Sequence, residues 1–477
     1  MVYKNFIGNC EVSAQAGHTL PVLDPSDGQV YAEIARSGQA DVDLAVTAAR
    51  EAYEGAWGRM APALRSRLLL RVATALMNEQ EALAQIESRD TGKPLPQARA
   101  DAAAIARYFE FYAGAVDKLH GTTIPYPADF TVFTLREPHG VTGHIIPWNY
   151  PLQIFGRSVG AALAAGNACV VKPAEDACLS LLHVARIMAD VGVPAGALNI
   201  CTGLGAEAGA ALSAHPGIDH ISFTGSPQTG QQVAMAAASH FAPVTLELGG
   251  KSPQILFSDA DIDTALPVLL NAIMQNAGQT CSAGSRLLVQ RAIYSSVIDR
   301  LAELFNATRT GAASANPDCG PLINARQLER VQNFLGTAEG SGISVVGQGA
   351  LDSAAPKGGF YQVPVLLGDV PADHQLAQEE IFGPVLAAIS FDTEADAIRI
   401  ANSTPFGLVA GVWTQDGSRQ MRLARKLRSG QVFINNYGAG GGVELPFGGT
   451  GQSGYGREKG FEALFGFTTL KTVAIKH

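Results

Sequence analysis

Between residues 41 and 112 apolar side chains return every three to four positions, with Ala, Leu, Glu and Arg filling the places between. The spacing predicts several amphipathic helices. Residues 121–137 change to a β-like stretch centred on Thr131-Val132-Phe133-Thr134-Leu135. Pro125 and Pro127 precede that run, which fits an edge strand or a protruding hairpin. From residue 140, strand-like runs at 141–146, 168–171, 197–201 and 220–223 alternate with helical patterns near 179–191 and 205–213. Strands separated by helices of this length need crossover connections, so an α/β fold with a parallel sheet is expected, as in nucleotide-binding folds. A second αβ series runs from residue 262 to the region of Phe433, with strand candidates at 285–289, 385–391 and 409–413. A Gly-rich stretch at 437–456 and a β-like tail at 467–475 close the chain.

With 477 residues the chain exceeds a single hydrophobic core, and two or three domains are expected. Its formal charge of −9 is spread among mixed acids and bases, with no basic run that would suit nucleic acid or an anionic membrane. The first ten residues lack the apolar core of a signal peptide, and the longest apolar candidate, 145–171, is broken by Pro147, Asn149, Pro151, Arg157 and Asn167. A soluble, cytoplasmic protein is expected. The six cysteines form no CxxC pair, and the histidines show no ligand spacing, so neither disulfides nor a metal is expected.

Three segments carry candidate chemistry. Cys281 sits in Gly278-Gln279-Thr280-Cys281-Ser282-Ala283-Gly284, a small-residue setting that makes poor core and suits an accessible thiol nucleophile; the alternative is one more structural cysteine. Glu247 lies inside the apolar run Thr245-Leu246-Glu247-Leu248. An acid buried there has a raised pKa, as a general base requires, unless it is simply paired with Lys251. In Pro147-Trp148-Asn149-Tyr150-Pro151 two prolines stiffen a turn. Asn149 there has an amide N–H suited to a developing oxyanion, or to its own backbone as in an ordinary turn.

These three segments stand in the order found in the aldehyde dehydrogenase superfamily. Lys172-Pro173-Ala174-Glu175 is similar to that family's adenine-ribose motif, and Phe223-Thr224-Gly225-Ser226 to its pyrophosphate motif. Glu379-Glu380-Ile381-Phe382-Gly383-Pro384-Val385 and Pro446-Phe447-Gly448-Gly449, followed by Ser453-Gly454 and Gly456-Arg457-Glu458, complete the set. Over nearly its whole length the chain therefore resembles a hydrolytic, NAD(P)-dependent aldehyde dehydrogenase.

The resemblance implies oxidation of an aldehyde to a carboxylic acid through a thiohemiacetal and a thioester on Cys281. Asn149 and the Cys281 backbone N–H would hold the oxyanion, and Glu247 would activate the hydrolytic water. It implies cofactor contacts from Ile145, Ile146, Pro147, Trp148, Lys172, Glu175, Gly205, Phe223, Gly225, Ser226, Leu248, Gly249, Glu380 and Phe382. Glu380, in its role at the nicotinamide ribose, has a solvated helix-start acid as its plain alternative. A carboxylate at Glu175 repels a 2′-phosphate, which favours NAD over NADP. Tyr150, Ile154, Thr280 and Phe447 are expected at the substrate. The implied architecture is a Rossmann-like NAD-binding domain (1–116 and 138–246), an α/β catalytic domain (247–445) and a small β oligomerisation extension (117–137 and 460–477). Residues 446–459 return to the NAD-binding side, and a homodimer or homotetramer is expected. Two other readings keep the fold: a CoA-acylating enzyme, against which a water-activating Glu247 argues, and a catalytically silent binding or scaffold protein, against which the joint presence of Cys281, Glu247 and Asn149 argues.

The chain departs from the family pattern in two places. Many members carry Trp-Lys after the asparagine turn, where this chain has Arg157-Ser158; the lysine assists proton removal from the base, a task left here to Glu458 or to water. Arg157 near the substrate mouth suggests a carboxylate-bearing aldehyde, with a salt bridge at a domain contact as the alternative. The run Gly438-Ala439-Gly440-Gly441-Gly442 replaces a bulkier wall and suggests a wide pocket for a larger or aromatic aldehyde, unless it is a loop needing positive φ. Two pattern matches fail. Gly156-Arg157-Ser158-Val159-Gly160 fits the G-x-S-x-G of serine hydrolases, but its serine lies within a helix-like run. Gly249-Gly250-Lys251-Ser252 lacks the first glycine of a P-loop, because position 245 is Thr245.

Overall fold

The computed structural model describes residues 2–438 and 442–477. Two sheets organise it. The first has eight strands in the order Gly454–Tyr455, Val244–Glu247, His220–Thr224, Val141–Ile146, Ala168–Pro173, Leu198–Ile200, Asn5–Ile7 and Cys10–Val12. The five strands from Val244–Glu247 to Leu198–Ile200 run parallel, and the flanking strands are antiparallel. Ala168–Pro173 is buried at every position, as a strand covered by helices on both faces must be. The helix Pro151–Ala165 supplies the crossover and stops at Gly166, whose φ of 104° is a left-handed conformation that glycine adopts without strain.

Strand order matters more than strand count for the site. The chain steps outward from Val141–Ile146 to Ala168–Pro173 and Leu198–Ile200. It then returns to the other side of Val141–Ile146 with His220–Thr224 and Val244–Glu247. Connections leave in opposite directions at that reversal, and a crevice opens beyond the carboxyl ends of the two strands.

The second sheet has seven strands in the order Val345–Gln348, Val365–Leu367, Val385–Phe391, Arg286–Gln290, Pro253–Leu256, Val409–Trp413 and Gln431–Ile434, all parallel except the first. Each sheet has its own hydrophobic core. A third, small cluster of Leu408, Val409 and Phe447 packs with Phe433, Tyr437 and Cys281.

A separate antiparallel sheet joins Thr468–Lys476, Phe130–Pro138 and Thr123–Ile124. Phe130–Pro138 occupies its centre, so the hairpin expectation holds for this segment and the edge-strand expectation does not. The C-terminal tail pairs with its whole length, from Thr468 opposite Pro138 to Lys476 opposite Phe130, and fills one of its edges. Two other details differ from the sequence pattern. Residues 205–213 form a π turn, Gly205–Gly209, running into a short helix, Ala210–Ala214. The N-terminal strands Thr19–Leu23 and Val30–Ala35 pair as a further antiparallel element. Among the described residues no helix is long and apolar enough to cross a membrane.

Where the C-terminal tail leaves the first sheet, His139 stacks on His220 with ring centroids 5.0 Å apart, and Phe467 packs on both His220 and His144. Burial lowers the His144 pKa to about 3 and drives that of His220 well below its usual value. A histidine that is neutral when folded and free to protonate when unfolded makes stability fall as pH drops below about 6.5. Urea unfolding at pH 7 and pH 5 should therefore show the native protein losing about 2 kcal/mol more than His144→Gln over that interval. Equal losses would show that His144 contributes nothing to the pH dependence.

Candidate active site

A cavity of about 1160 Å³ opens at the reversal of the first sheet. The turns after Val141–Ile146 and His220–Thr224 bring Pro147, Trp148, Asn149, Tyr150, Gly225 and Ser226 to its wall. Glu247, the last residue of Val244–Glu247, reaches it from the neighbouring strand. Across from them stands Cys281, in the loop that leads into Arg286–Gln290 of the second sheet. The three residues proposed for chemistry thus come from different elements and converge on one space.

The Cys281 loop is held in an unusual backbone path. Asn276 (φ 50°) and Ala277 (φ 54°) are left-handed, and Gly278 follows at φ 72°. Such a path costs on the order of 1–3 kcal/mol per non-glycine residue and persists only when neighbours enforce it. Here the Asn276 side-chain amide donates to the Asn149 carbonyl (3.0 Å), and the Asn276 backbone N–H donates to Gln97 (2.9 Å). Gln279 donates from its side chain to the Asn276 carbonyl (3.0 Å) and accepts from the Ile323 N–H (2.9 Å). A Cβ on Gly278 would run into the Gly383 carbonyl.

The Asn149 turn is fastened from below. Lys93, fully buried, donates to the Asn149 carbonyl (2.9 Å), pairs with Asp101 (2.5 Å) and Glu87 (3.5 Å), and lies 4.2 Å from the centre of the Tyr150 ring. Tyr150 and Thr280 are linked through their hydroxyls at 2.9 Å, which ties the turn to the cysteine loop. The Asn149 side-chain amide donates to the Gln279 carbonyl (3.0 Å). An amide carries two N–H donors, so one is committed to this contact and the other is available to a ligand.

The electrostatics of the two reactive groups are set by burial. Cys281 is half-buried, and desolvation pushes its thiol up to about 12, opposed by the Arg157 cation. Glu247 is 2% exposed, and neither carboxylate oxygen has a hydrogen-bond partner among the described residues. Desolvation drives its carboxyl well above the usual range; Arg157 opposes this and Glu458 reinforces it. The alternative reading of Glu247 as the ion-pair partner of Lys251 fails, because the buried Lys251 ammonium also lacks a hydrogen-bond partner.

The cofactor candidates divide into two groups. Pro147, Trp148, Gly225, Ser226, Gly249, Glu380 and Phe382 line the cavity. Ser226 caps the helix Pro227–Ala238, accepting from the Thr229 N–H at 3.3 Å, so a helix N-terminus faces this space. Glu380 accepts from the Gly250 N–H (2.9 Å), an approach open only because a Cβ on Gly249 would collide with its carboxylate. Trp148 and Phe382 meet edge to face at 5.4 Å. Ile145, Ile146, Lys172, Glu175, Gly205, Phe223 and Leu248 are not among the lining residues. Lys172 and Glu175 sit at and just beyond the end of Ala168–Pro173 and bond each other at 2.9 Å. Ile146, Phe223 and Leu248 are buried. Sequence reasoning missed Gln327 and Arg330, which line the cavity and donate to the Phe382 and Glu380 carbonyls (2.7 and 2.6 Å). They lie in the helix Ala325–Gly340, outside every motif.

Of the expected substrate residues, Tyr150, Ile154, Arg157, Thr280 and Phe447 all reach the cavity wall. Arg157, however, is 7% exposed and already paired with the fully buried Glu458 at 2.5 Å. The salt-bridge alternative describes its position, and the charge intended for a substrate carboxylate is already engaged. Ser158 bonds back to the Ile154 carbonyl (3.0 Å) in mid-helix, which removes it as an exposed serine nucleophile. A second cavity of about 520 Å³ meets the first at Gln153, Gln275, Thr280 and Ser282. It is lined by Ala100, Ala103 and Ala104 of the helix Leu95–Ala115, with Tyr108, Tyr437 and Val443. Gly438 and Gly442 border it, while residues 439–441 of the expected open wall lie outside the described residues.

With this geometry in hand, comparison with known proteins is informative. Residues 12–473 match the model of the Aldehyde dehydrogenase family. An aldehyde dehydrogenase of Emericella nidulans is 42% identical over 98% of this chain and 94% of its own length. Among solved structures, a putative aldehyde dehydrogenase from Burkholderia cenocepacia is 66% identical, with a TM-score of 0.99 over 99% of this chain and all of that one. An NAD+ complex of aldehyde dehydrogenase from Bacillus cereus is 40% identical, with a TM-score of 0.97 over 100% of this chain and 97% of that one.

Exposure of the six thiols gives a direct check on the site. Cys10 is exposed and Cys281 half-buried, while Cys169, Cys178, Cys201 and Cys319 are buried. Iodoacetamide should alkylate Cys10 readily and Cys281 more slowly, at a rate that climbs with pH, in the native protein and the other four only after unfolding, as read by peptide mass spectrometry. Protection of Cys281 in the native state would contradict the open site described above.

Proposed function

Because the chain belongs to the aldehyde dehydrogenase family, we propose that it oxidises an aldehyde to a carboxylic acid, with NAD as hydride acceptor and Cys281 as the covalent carrier. The observation that carries this reading is the convergence of a half-buried thiol, an unpartnered buried carboxylate and an amide donor on one cavity. The Cys281 thiol gives up its proton to solvent water, and the thiolate attacks the carbonyl carbon, forming a C–S bond as the C=O π pair moves onto oxygen as an oxyanion. Asn149, through its uncommitted N–H, and the Cys281 backbone N–H stabilise that charge where it develops. A free aldehyde carbon releases hydride poorly, whereas the oxyanion-bearing tetrahedral carbon expels it and becomes a thioester. Glu247 then removes a proton from water, the resulting hydroxide attacks the thioester carbon, and the Cys281 sulfur leaves. A water-activating Glu247 works against transfer to an external thiol, so hydrolysis is favoured over acylation of coenzyme A.

The residues present suit NAD. A helix N-terminus capped by Ser226 matches a pyrophosphate, Glu380 on the same wall matches a ribose diol, and Lys172 with Glu175 lies at the next strand end for the adenosine ribose. NAD, when bound, accepts the hydride. The carboxylate of Glu175 disfavours a 2′-phosphate, hence NADP. The NAD+ complex of the Bacillus cereus relative supports the same assignment.

The second cavity is the proposed aldehyde entry. Its alanine-lined helix face beside Tyr108 and Tyr437 suits an apolar, aromatic aldehyde, and the engagement of Arg157 by Glu458 removes the reason to expect a carboxylate-bearing one. Assembly as a homo-oligomer through the sheet containing Thr468–Lys476 is part of the same reading, since Thr123–Ile124 and Thr468–Lys476 leave strand edges without partners in that sheet.

The test is NADH formation at 340 nm across short aliphatic, aromatic and carboxylate-bearing aldehydes, with NAD or NADP. NAD-dependent turnover should be abolished in Cys281→Ala. Filling the second cavity with Ala103→Phe should lower kcat/KM at least about tenfold for aromatic aldehydes and much less for acetaldehyde, as overfilling a close-packed wall does. Turnover that survives Cys281→Ala would overturn the covalent reading. An equal loss for all aldehydes in Ala103→Phe would remove the second cavity as the entry.

A further inference from the structure

Arg157 is placed as few arginines are. It projects from the helix Pro151–Ala165, pairs through Nε with Glu458 (2.5 Å), donates to the Thr224 hydroxyl (3.1 Å) and lies 5.1 Å from the centre of the Phe447 ring. Glu458 is itself anchored. It accepts from the Ser222 hydroxyl (2.6 Å), and its backbone exchanges two hydrogen bonds with Phe447 (2.6 and 2.8 Å). The pair therefore ties the helix, the first sheet and the C-terminal segment together at the wall occupied by Glu247.

We propose that Arg157 is a positioning residue for the deacylation step: the fixed positive charge that lets Glu247 exist as a carboxylate in a dry site. The proposal rests on the assignment of Glu247 as the base. The charged groups facing Glu247 are Arg157 from the helix and Arg457, Glu458 and Lys459 from the C-terminal segment; Arg157 in turn faces Glu247, Glu458, Cys281 and Tyr108. Arg157 donates to the Thr224 hydroxyl, Thr224 is the register partner of Glu247 in the parallel strand pair, and Arg157 and Glu247 line the same cavity, so the guanidinium stands on the Glu247 side of the wall while Glu458 offsets part of its charge. A guanidinium keeps its proton throughout, so Arg157 supplies charge without joining the proton path. The adjacent Ser158 hydroxyl is bound to the Ile154 carbonyl and supplies no charge.

The experiment measures kcat against pH, with the NADH burst recorded at each pH, in Arg157→Lys, Arg157→Met, the paired variant Arg157→Met with Glu458→Gln, and Lys459→Met. The paired variant avoids stranding a buried carboxylate, which alone is enough to unfold a protein. Removing the cation should move the acidic limb of kcat to higher pH by about one unit or more in Arg157→Met, and in the same direction but by less in the paired variant, where loss of the Glu458 charge offsets part of the change, while Arg157→Lys stays near the unsubstituted protein. The burst precedes thioester hydrolysis, so it should persist and grow relative to the steady rate. An acidic limb unmoved in every Arg157 variant, or moved by Lys459→Met alone, would overturn the proposal. Failure of the unsubstituted protein to form NADH with any aldehyde would instead overturn the assignment beneath it.

Discussion

Glu247 is 2% exposed, with neither carboxylate oxygen hydrogen-bonded among the described residues, and its desolvation is the constraint to which the rest of the site answers. A carboxylate removed from water is unstable unless charge is placed near it, and the nearby cation must itself be neutralised. Arg157 meets the first need and Glu458 the second. The same dry environment raises the Cys281 thiol, and the Arg157 cation opposes that rise as it does for Glu247.

Topology explains why these groups meet. The reversal of strand order at Val141–Ile146 opens a crevice at the ends of two neighbouring parallel strands, and Glu247 ends the third. Cys281 arrives from the other sheet, on a loop whose left-handed Asn276 and Ala277 are held by Asn149, Gln97 and Gln279. The Asn149 turn rests on the buried Lys93–Asp101–Glu87 network. The position of the Asn149 amide therefore depends on ionic groups well behind the cavity wall.

Much of this was legible in the sequence. Period-two and period-four apolar patterns located the strands and helices of both α/β series, and the motif order named the family. Local motifs singled out Cys281, Glu247 and Asn149, which line one cavity, because each lies in a short, chemically distinctive segment. What escaped were supports set by long-range pairing: Lys93, Gln327 and Arg330 occupy ordinary helical or loop sequence, and only folding brings them to the site. Arg157 shows the same limit in reverse. Its position near the substrate mouth and the possibility of a salt bridge were readable, but its partner Glu458 lies 301 residues further on, so the sequence left open whether its charge was free or paired. The central place of Phe130–Pro138 in its sheet is not legible in the local pattern, which suggested an edge strand or hairpin; only the family resemblance grouped 117–137 with the remote tail that pairs with it.

The central claim is that the acyl group rests on Cys281 and is released by Glu247. The most direct measurement is intact-protein and peptide mass spectrometry of Glu247→Gln, quenched in acid after mixing with NAD and an aldehyde that the unsubstituted protein oxidises. The account predicts about one equivalent of NADH per site and an acyl group of matching mass on the peptide carrying Cys281. One equivalent of NADH with no adduct, or an adduct on another residue, would contradict it.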